Sequence, residues 1–214
     1  MSETTQQILE RVGLIPVLRA KSVAQGRALV EAMMKGGIAV VEVTMTVPGA
    51  TDLLKELKKE YGAELLLGAG TVITADQCQA TIDAGCEFIV SPSFHPAVIE
   101  VTKKNNKISC PGALTPTEVI TAWNAGADYV KVFPVSAMGG PSYVKALHGP
   151  FPQLKIVCTG GVTLDTAASY LKAGARALGV GSDLVNLSAI EAGKPEVITA
   201  TAKAYLEIVA QARQ

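Results

Sequence analysis

The sequence predicts a (β/α)8 barrel, the TIM-barrel class, with an additional N-terminal helix. Three observations predict it. Eight short apolar runs recur along the 214 residues. Longer amphipathic stretches separate them, the order that gives a parallel sheet wrapped in helices. Most polar exceptions to the apolar runs lie at their C-terminal ends, where such barrels carry their chemistry. The length sits at the short end of the roughly 200–400 residues usual for the fold, so residues 1–214 read as a single domain.

The elements follow in order. A polar, helix-patterned segment runs from roughly Glu3 to Val12. The strands are "LIPVLR" (14–19), "AVVEVT" (39–44), "LLLGAG" (65–70), "EFIVSP" (87–92), "KISCPG" (107–112), "DYVKVFP" (128–134), "LKIVCTGG" (154–161) and "RALGVGS" (176–182). Their Val, Ile, Leu and aromatic content suits strands covered on both faces. Helical patterns lie between them, such as 22–37, 50–62, 74–85 and 163–174. Gly36, Gly62, Gly85, Gly126 and Gly174 stand where helices close, since glycine reaches the left-handed conformation without a Cβ clash. A last helix, Pro195 to Arg213, is expected with the first one to cap the barrel. An open doubly wound sheet is the rival architecture. No G-x-G-x-x-G follows the first strand, which weakens its dinucleotide-binding version.

Composition narrows the function. Apolar residues make up 49% of the chain, and 19 basic residues offset 19 acidic ones. Without a basic excess, nucleic acid and membrane surfaces lose their simplest attraction. No run approaches the ~20 apolar residues of a membrane span. "MSETTQQILERVG" lacks the apolar region of a signal peptide, so a cytoplasmic protein is expected. Cys78, Cys86, Cys110 and Cys158 show no C-x-x-C spacing and read as buried free thiols of a reducing compartment. His95 and His148 stand alone, which argues against a histidine-built metal centre.

Lys131 is the sharpest exception, placed among Tyr129, Val130, Val132 and Phe133. A strand lysine can snorkel to solvent or complete a structural ion pair. In so apolar a setting, desolvation favours the uncharged amine, the form that attacks carbonyls to give a Schiff base. Glu42 interrupts "AVVEVT". It is either a structural partner for Lys131 or the acid and base beside it. "CTGG" (158–161) and "GVGSD" (179–183) follow the last two strands, where such barrels hold phosphate on bare backbone N–H groups. Ordinary turn glycines are the alternative there. Thr71 in "GAGT" binds a carboxylate or caps the next helix.

Taken together these residues resemble the bacterial 2-keto-3-deoxy-6-phosphogluconate (KDPG) aldolases, class I aldolases that also include 4-hydroxy-2-oxoglutarate aldolases. The pieces are "GG-x4-VEVT", "GAGTV", "FIVSP", "PG-x-LTPTE", "VKVFP", "GPFPQLK" and "TGGV", in order over nearly the whole chain. The resemblance implies a small-molecule substrate, no metal or other cofactor, and a homotrimer. It makes Lys131 the Schiff-base lysine and Glu42 the acid–base residue. Thr71 and Pro92 line the pyruvate end, and Phe133 stands beside the lysine. Gly160, Gly161 and Ser182 bind phosphate, and Gly181 belongs to the same loops. One departure is visible. Many members place an arginine after the glutamate, in a pattern like E-V-T-x-R; here Thr46 stands there, and Arg19 at the end of the first strand is expected to supply the charge. Two rivals remain at this level: a phosphate-binding isomerase or epimerase that forms no Schiff base, and a binding module in which Lys131 and Glu42 merely pair.

Overall fold

The computed structural model describes residues 3–213. The strands are β1 (Leu14–Leu18), β2 (Val40–Thr44), β3 (Leu66–Gly70), β4 (Phe88–Val90), β5 (Ile108–Cys110), β6 (Gly112–Ala113), β7 (Val130–Val132), β8 (Ile156–Thr159) and β9 (Ala177–Val180). The helices are α1 (Thr5–Val12), α2 (Val23–Lys35), α3 (Ala50–Tyr61), α4 (Ala75–Asp83), α5 (Pro96–Lys104), α6 (Pro116–Asn124), α7 (Pro141–His148), α8 (Leu164–Lys172), α9 (Leu187–Glu191) and α10 (Pro195–Ala212).

All paired strands run parallel, in the order β5-β4-β3-β2-β1-β9-β8-β7-β6. β5 and β6 are consecutive pieces of chain, so the two edges of the sheet meet and the barrel closes. The expected fifth strand is therefore split at Pro111. A proline has no N–H to give a ladder. Its carbonyl still accepts the Lys131 N–H at 2.9 Å, so the seam is bridged from β7.

Alternation of side chains decides what fills the barrel. Its N-terminal half is packed by Ile15, Phe88, Ile108, Tyr129 and Val157, with Leu9 of α1 inserted from below, leaving a void of only about 10 Å3. The N-terminal helix thus plugs the floor. α1 starts at Thr4 with a capping box to Gln7 and ends at Gly13, φ 62.

The last helix departs from expectation. α10 does not cap the barrel; it packs between α2 and α8 in the outer ring. Its buried Ile198, Ala202, Tyr205 and Val209 form one stripe at helical spacing. Gly36 makes that contact possible, since a Cβ there would lie 2.5 Å from Ala202 Cβ. Gly36 is accordingly right-handed at φ −83, and Gly37, φ 93, makes the turn expected of it. His148 is the half-buried last residue of α7, its Nε2 3.3 Å from the Gly174 carbonyl. The four cysteines are free and buried.

Candidate active site

β2 and β7 stand on opposite walls of the barrel, and each sends one ionisable side chain inward. Lys131 is 5% exposed and Glu42 2%. Lys131 Nζ lies 4.0 Å from Glu42 Oε1 and 5.1 Å from the centre of the Phe133 ring. Glu42 Oε1 is buried without a hydrogen-bond partner among the described residues. Burial pushes the Glu42 carboxyl above the usual carboxylate range, and the charges of Lys131 and Arg19 oppose that rise. A buried carboxyl raised in this way, with no hydrogen-bond partner for Oε1 among the described residues, has the environment that general acids and bases share.

Glycine makes the space it occupies. Glu42 pairs in register with Gly68, and a Cβ on Gly70 would come within 1.9 Å of Glu42 Oε1. On the facing side Gly112 is in register with Lys131, and a Cβ there would strike the Pro92 carbonyl at 2.2 Å. Two glycines therefore keep the barrel open around the amine and the carboxyl.

Above this pair lies a cavity of about 510 Å3. Arg19, Phe133, Gly160, Gly161, Gly181 and Ser182 all line it. Phe133 joins the two parts of the site, being both cavity wall and neighbour of the Lys131 amine. Lys131, Glu42, Thr71 and Pro92 are not among its lining residues. Thr71 follows β3 directly, half-buried, at φ 58. A β-branched residue in the left-handed region is strained, and such strain gathers at functional sites. Pro92 is half-buried, its carbonyl packed against Gly112 beside the Lys131 register.

The glycine loops leave bare backbone at the cavity wall. Gly160 and Gly161 have φ 90 and 79, and a Cβ on Gly161 would lie 2.3 Å from Ser136 Oγ. The N-terminus of α8 begins just beyond, adding its positive end. Arg19 is exposed and in no ion pair among the described residues. Thr44 Oγ1 donates to the carbonyl of Leu18, its neighbour, at 2.9 Å, and lies 2.7 Å from Thr46 Oγ1. The arginine and the threonine that stands in the arginine position thus share one corner.

Two further cavity residues lie within the stretches the sequence singled out, without a role assigned to them there. Thr159 lines the cavity, and a Cβ on Gly179 would lie 2.1 Å from its hydroxyl; it was visible as the polar end of an apolar strand. Asp183 also lines the cavity, accepting from the Leu164 N–H at 3.3 Å and from the Tyr205 hydroxyl of α10. No local signal marks Tyr205, because the contact is tertiary.

Known proteins share this arrangement of chain. The family description "KDPG and KHG aldolase" matches residues 5–201. A 2-dehydro-3-deoxy-phosphogluconate aldolase of Treponema pallidum is 36% identical over 207 residues, 96% of this chain and 98% of that one. A 2-dehydro-3-deoxy-6-phosphogalactonate aldolase of Escherichia coli is 35% identical, over 93% of this chain and 97% of its own. Among solved structures, a Legionella pneumophila KDPG aldolase "with pyruvate captured at low pH as a covalent carbinolamine intermediate" superposes with a TM-score of 0.87. It is 31% identical and covers 95% of this chain and 98% of its own.

Proposed function

The chain belongs to the KDPG and KHG aldolase family of carbon–carbon lyases, and from that premise we propose that it reversibly cleaves 2-keto-3-deoxy-6-phosphogluconate to pyruvate and glyceraldehyde 3-phosphate through a Schiff base on Lys131. The observation that carries this reading is the buried amine 4.0 Å from a carboxyl oxygen with no other partner, beside a cavity walled by two glycine loops.

In this reading the uncharged Lys131 amine attacks the C2 keto carbon. Glu42 moves protons through the carbinolamine, and water leaves to give the iminium. Glu42 then takes the C4 hydroxyl proton, directly or through one water. The C3–C4 electron pair flows into the iminium, releasing the aldehyde and leaving the pyruvate enamine. Protonation at C3 and hydrolysis return pyruvate and free lysine. The iminium is the electron sink, so the scheme calls on no metal or organic cofactor. Gly160, Gly161, Gly181 and Ser182 hold the phosphate; Arg19 takes the carboxylate, with Thr71 and Pro92 at the pyruvate end. The same machinery suits the phosphogalactonate epimer, the substrate named for the Escherichia coli relative, and 4-hydroxy-2-oxoglutarate. Side-by-side cleavage assays on the three acids rank them.

We place the protein in the cytoplasm as a homotrimer, on the family resemblance; sedimentation equilibrium tests the assembly. No helix among the described residues is long and apolar enough to cross a membrane. The deciding experiment for the chemistry is incubation with pyruvate and borohydride followed by peptide mass mapping. An adduct on Lys131 is expected. A folded protein that yields none points to an isomerase, an epimerase or a non-catalytic binder.

A further inference from the structure

The larger recess of the molecule lies at the opposite end of the barrel from the catalytic mouth. It measures about 630 Å3, and its walls include Glu10, His148, Leu154, Lys172, Arg176 and Arg213. These residues come from α1, the ends of α7, α8 and α10, and the chain entering β8 and β9. All lie at the N-terminal side of the sheet.

Its charge is one-sided. Lys172, Arg176 and Arg213 line it, and none of the three is in an ion pair among the described residues. Glu10 is the one carboxylate in the wall, and it is already engaged. Its Oε1 accepts from Lys155 Nζ at 3.1 Å, from the Tyr129 hydroxyl at 3.0 Å and from Gln6 at 3.1 Å. The chain as a whole carries no net charge, so this concentration of cations without ion-pair partners among the described residues is a local feature.

Arg213 is fixed in place. Its Nη1 donates to the carbonyls of Glu10 and Arg11, and its Nη2 to the Arg176 carbonyl at 2.7 Å. A guanidinium has five N–H donors. The Nε–H and one Nη2–H therefore have no acceptor among the described residues. Burial draws this guanidinium below its ordinary pKa; Glu10 opposes the fall and Arg176 adds to it. Cations at helix C-termini commonly answer the helix dipole, which accounts for Lys172 and Arg213. It does not account for Arg176, which stands beyond α8 at the entry to β9.

We propose that this recess is a second anion site, separate from the catalytic cavity, that takes a small molecule bearing a phosphate group. Guanidinium N–H groups suit phosphate oxygens in paired bonds, and Lys172 adds a mobile point charge. The volume falls within the ~300–1,000 Å3 of small-ligand pockets, roomy enough for a sugar phosphate as well as the free ion. Such a ligand binds the folded chain and stabilises it by mass action.

The test uses the full chain and the double variant Lys172→Gln/Arg176→Gln. Both side chains are exposed and neither belongs to the proposed catalytic machinery, so the variant should fold and cleave substrate normally. Calorimetric titrations at low ionic strength use inorganic phosphate in one arm and glucose 6-phosphate in the other. Competitive inhibition of cleavage reads the catalytic cradle separately. Wild type should show two sites per chain. In the double variant one site should weaken about tenfold or more, the worth of a lost charge-assisted bond, with the inhibition constant unchanged. Tighter binding of glucose 6-phosphate to the affected site identifies a sugar phosphate as the occupant, and tighter binding of phosphate the free ion; both support the site. A single site per chain, or two sites that the double substitution leaves alike, overturns it.

Discussion

The two halves of the catalytic mouth are built by opposite means. The chemical half is made of side chains: Lys131 and Glu42 reach across the barrel from β7 and β2 and are almost wholly buried. The binding half is made of missing side chains: Gly160, Gly161 and Gly181 bare the backbone around an open cavity. The difference follows from what each half must do. A carboxyl that is to serve as base needs a dry, fixed setting, and burial raises the proton affinity of Glu42 there. A phosphate needs several N–H donors at close approach, which a Cβ would obstruct. Substitutions in the first half should therefore act on the rate of chemistry. Those in the second should act on binding of the phosphorylated end.

The hardest test of the chemical half is Lys131→Ala. Cleavage should fall by on the order of 10⁴-fold or more, and pyruvate with borohydride should leave no adduct. Lys131 is the one buried lysine among the described residues, while Lys103 and Lys21 are exposed and tied to Asp128 and Glu191. An adduct surviving in Lys131→Ala would move the nucleophile elsewhere.

Glu42→Gln keeps the shape and removes the base, so a loss of roughly 10²–10⁴-fold is expected. Its pH dependence is a finer probe. The base works only when deprotonated, so kcat/KM should rise with pH through the Glu42 pKa. Burial has raised that pKa, which moves the limb above the ordinary carboxylate range. The limb should vanish in Glu42→Gln. A limb that persists unchanged assigns the titration to another group.

Arg19 tests the boundary between the halves, since it lines the cavity while its charge acts on Glu42. If it holds the substrate carboxylate, Arg19→Ala should cost about 1.5–3 kcal/mol, roughly tenfold to a hundredfold in kcat/KM. Adding Thr46→Arg should restore part of it, because the Thr46–Thr44–Leu18 contacts put both positions in one corner. Unchanged inhibition by pyruvate analogues in Arg19→Ala would leave the backbone near Thr71 as the better carboxylate site.

Gly161→Ala probes the binding half alone. The new methyl group would lie 2.3 Å from Ser136 Oγ, at a backbone φ of 79 that alanine resists. Affinity for phosphorylated substrates should fall about tenfold, the worth of one charge-assisted bond. Cleavage of the phosphate-free acid, 4-hydroxy-2-oxoglutarate, should continue as before. Equal losses on both would show that the glycine shapes the barrel without holding the anion.

What the sequence shows and what it hides divide along similar lines. Strand positions were legible because burial on both faces leaves continuous apolar runs. Lys131 and Glu42 were legible as breaks in those runs. The closure at Pro111 was hidden, because a proline inside one apolar segment gives no sign that the two sides pair with different neighbours. The place of α10 was hidden too, since an apolar stripe states that a helix is buried and not against what. That Glu42 meets Lys131 at all is a fact of barrel geometry, since the two are 89 positions apart in the chain. The role given to Pro92 came through resemblance alone, and neither it nor Thr71 lines the catalytic-mouth cavity.

The smallest expected effect comes from the contact with no local signal. Tyr205 lies buried on α10, and its hydroxyl donates to Asp183, which also takes the Leu164 N–H at the start of α8. Asp183 and its neighbour Ser182 both line the cavity. A carboxylate beside a phosphate cradle is repulsive unless its charge is occupied, and these two donors occupy it. If Tyr205 acts as a positioning residue, it does so by keeping Asp183 turned to the protein beside the glycine loops. Tyr205→Phe retains the ring and removes only the donor. For phosphorylated substrate KM should rise a few-fold, in keeping with about 1 kcal/mol for a lost hydrogen bond, while kcat holds. The phosphate-free acid should show no change in either constant. A purely structural tyrosine would instead lower Tm and leave KM in place for both substrates, which would confine the binding half of the site to the loops themselves.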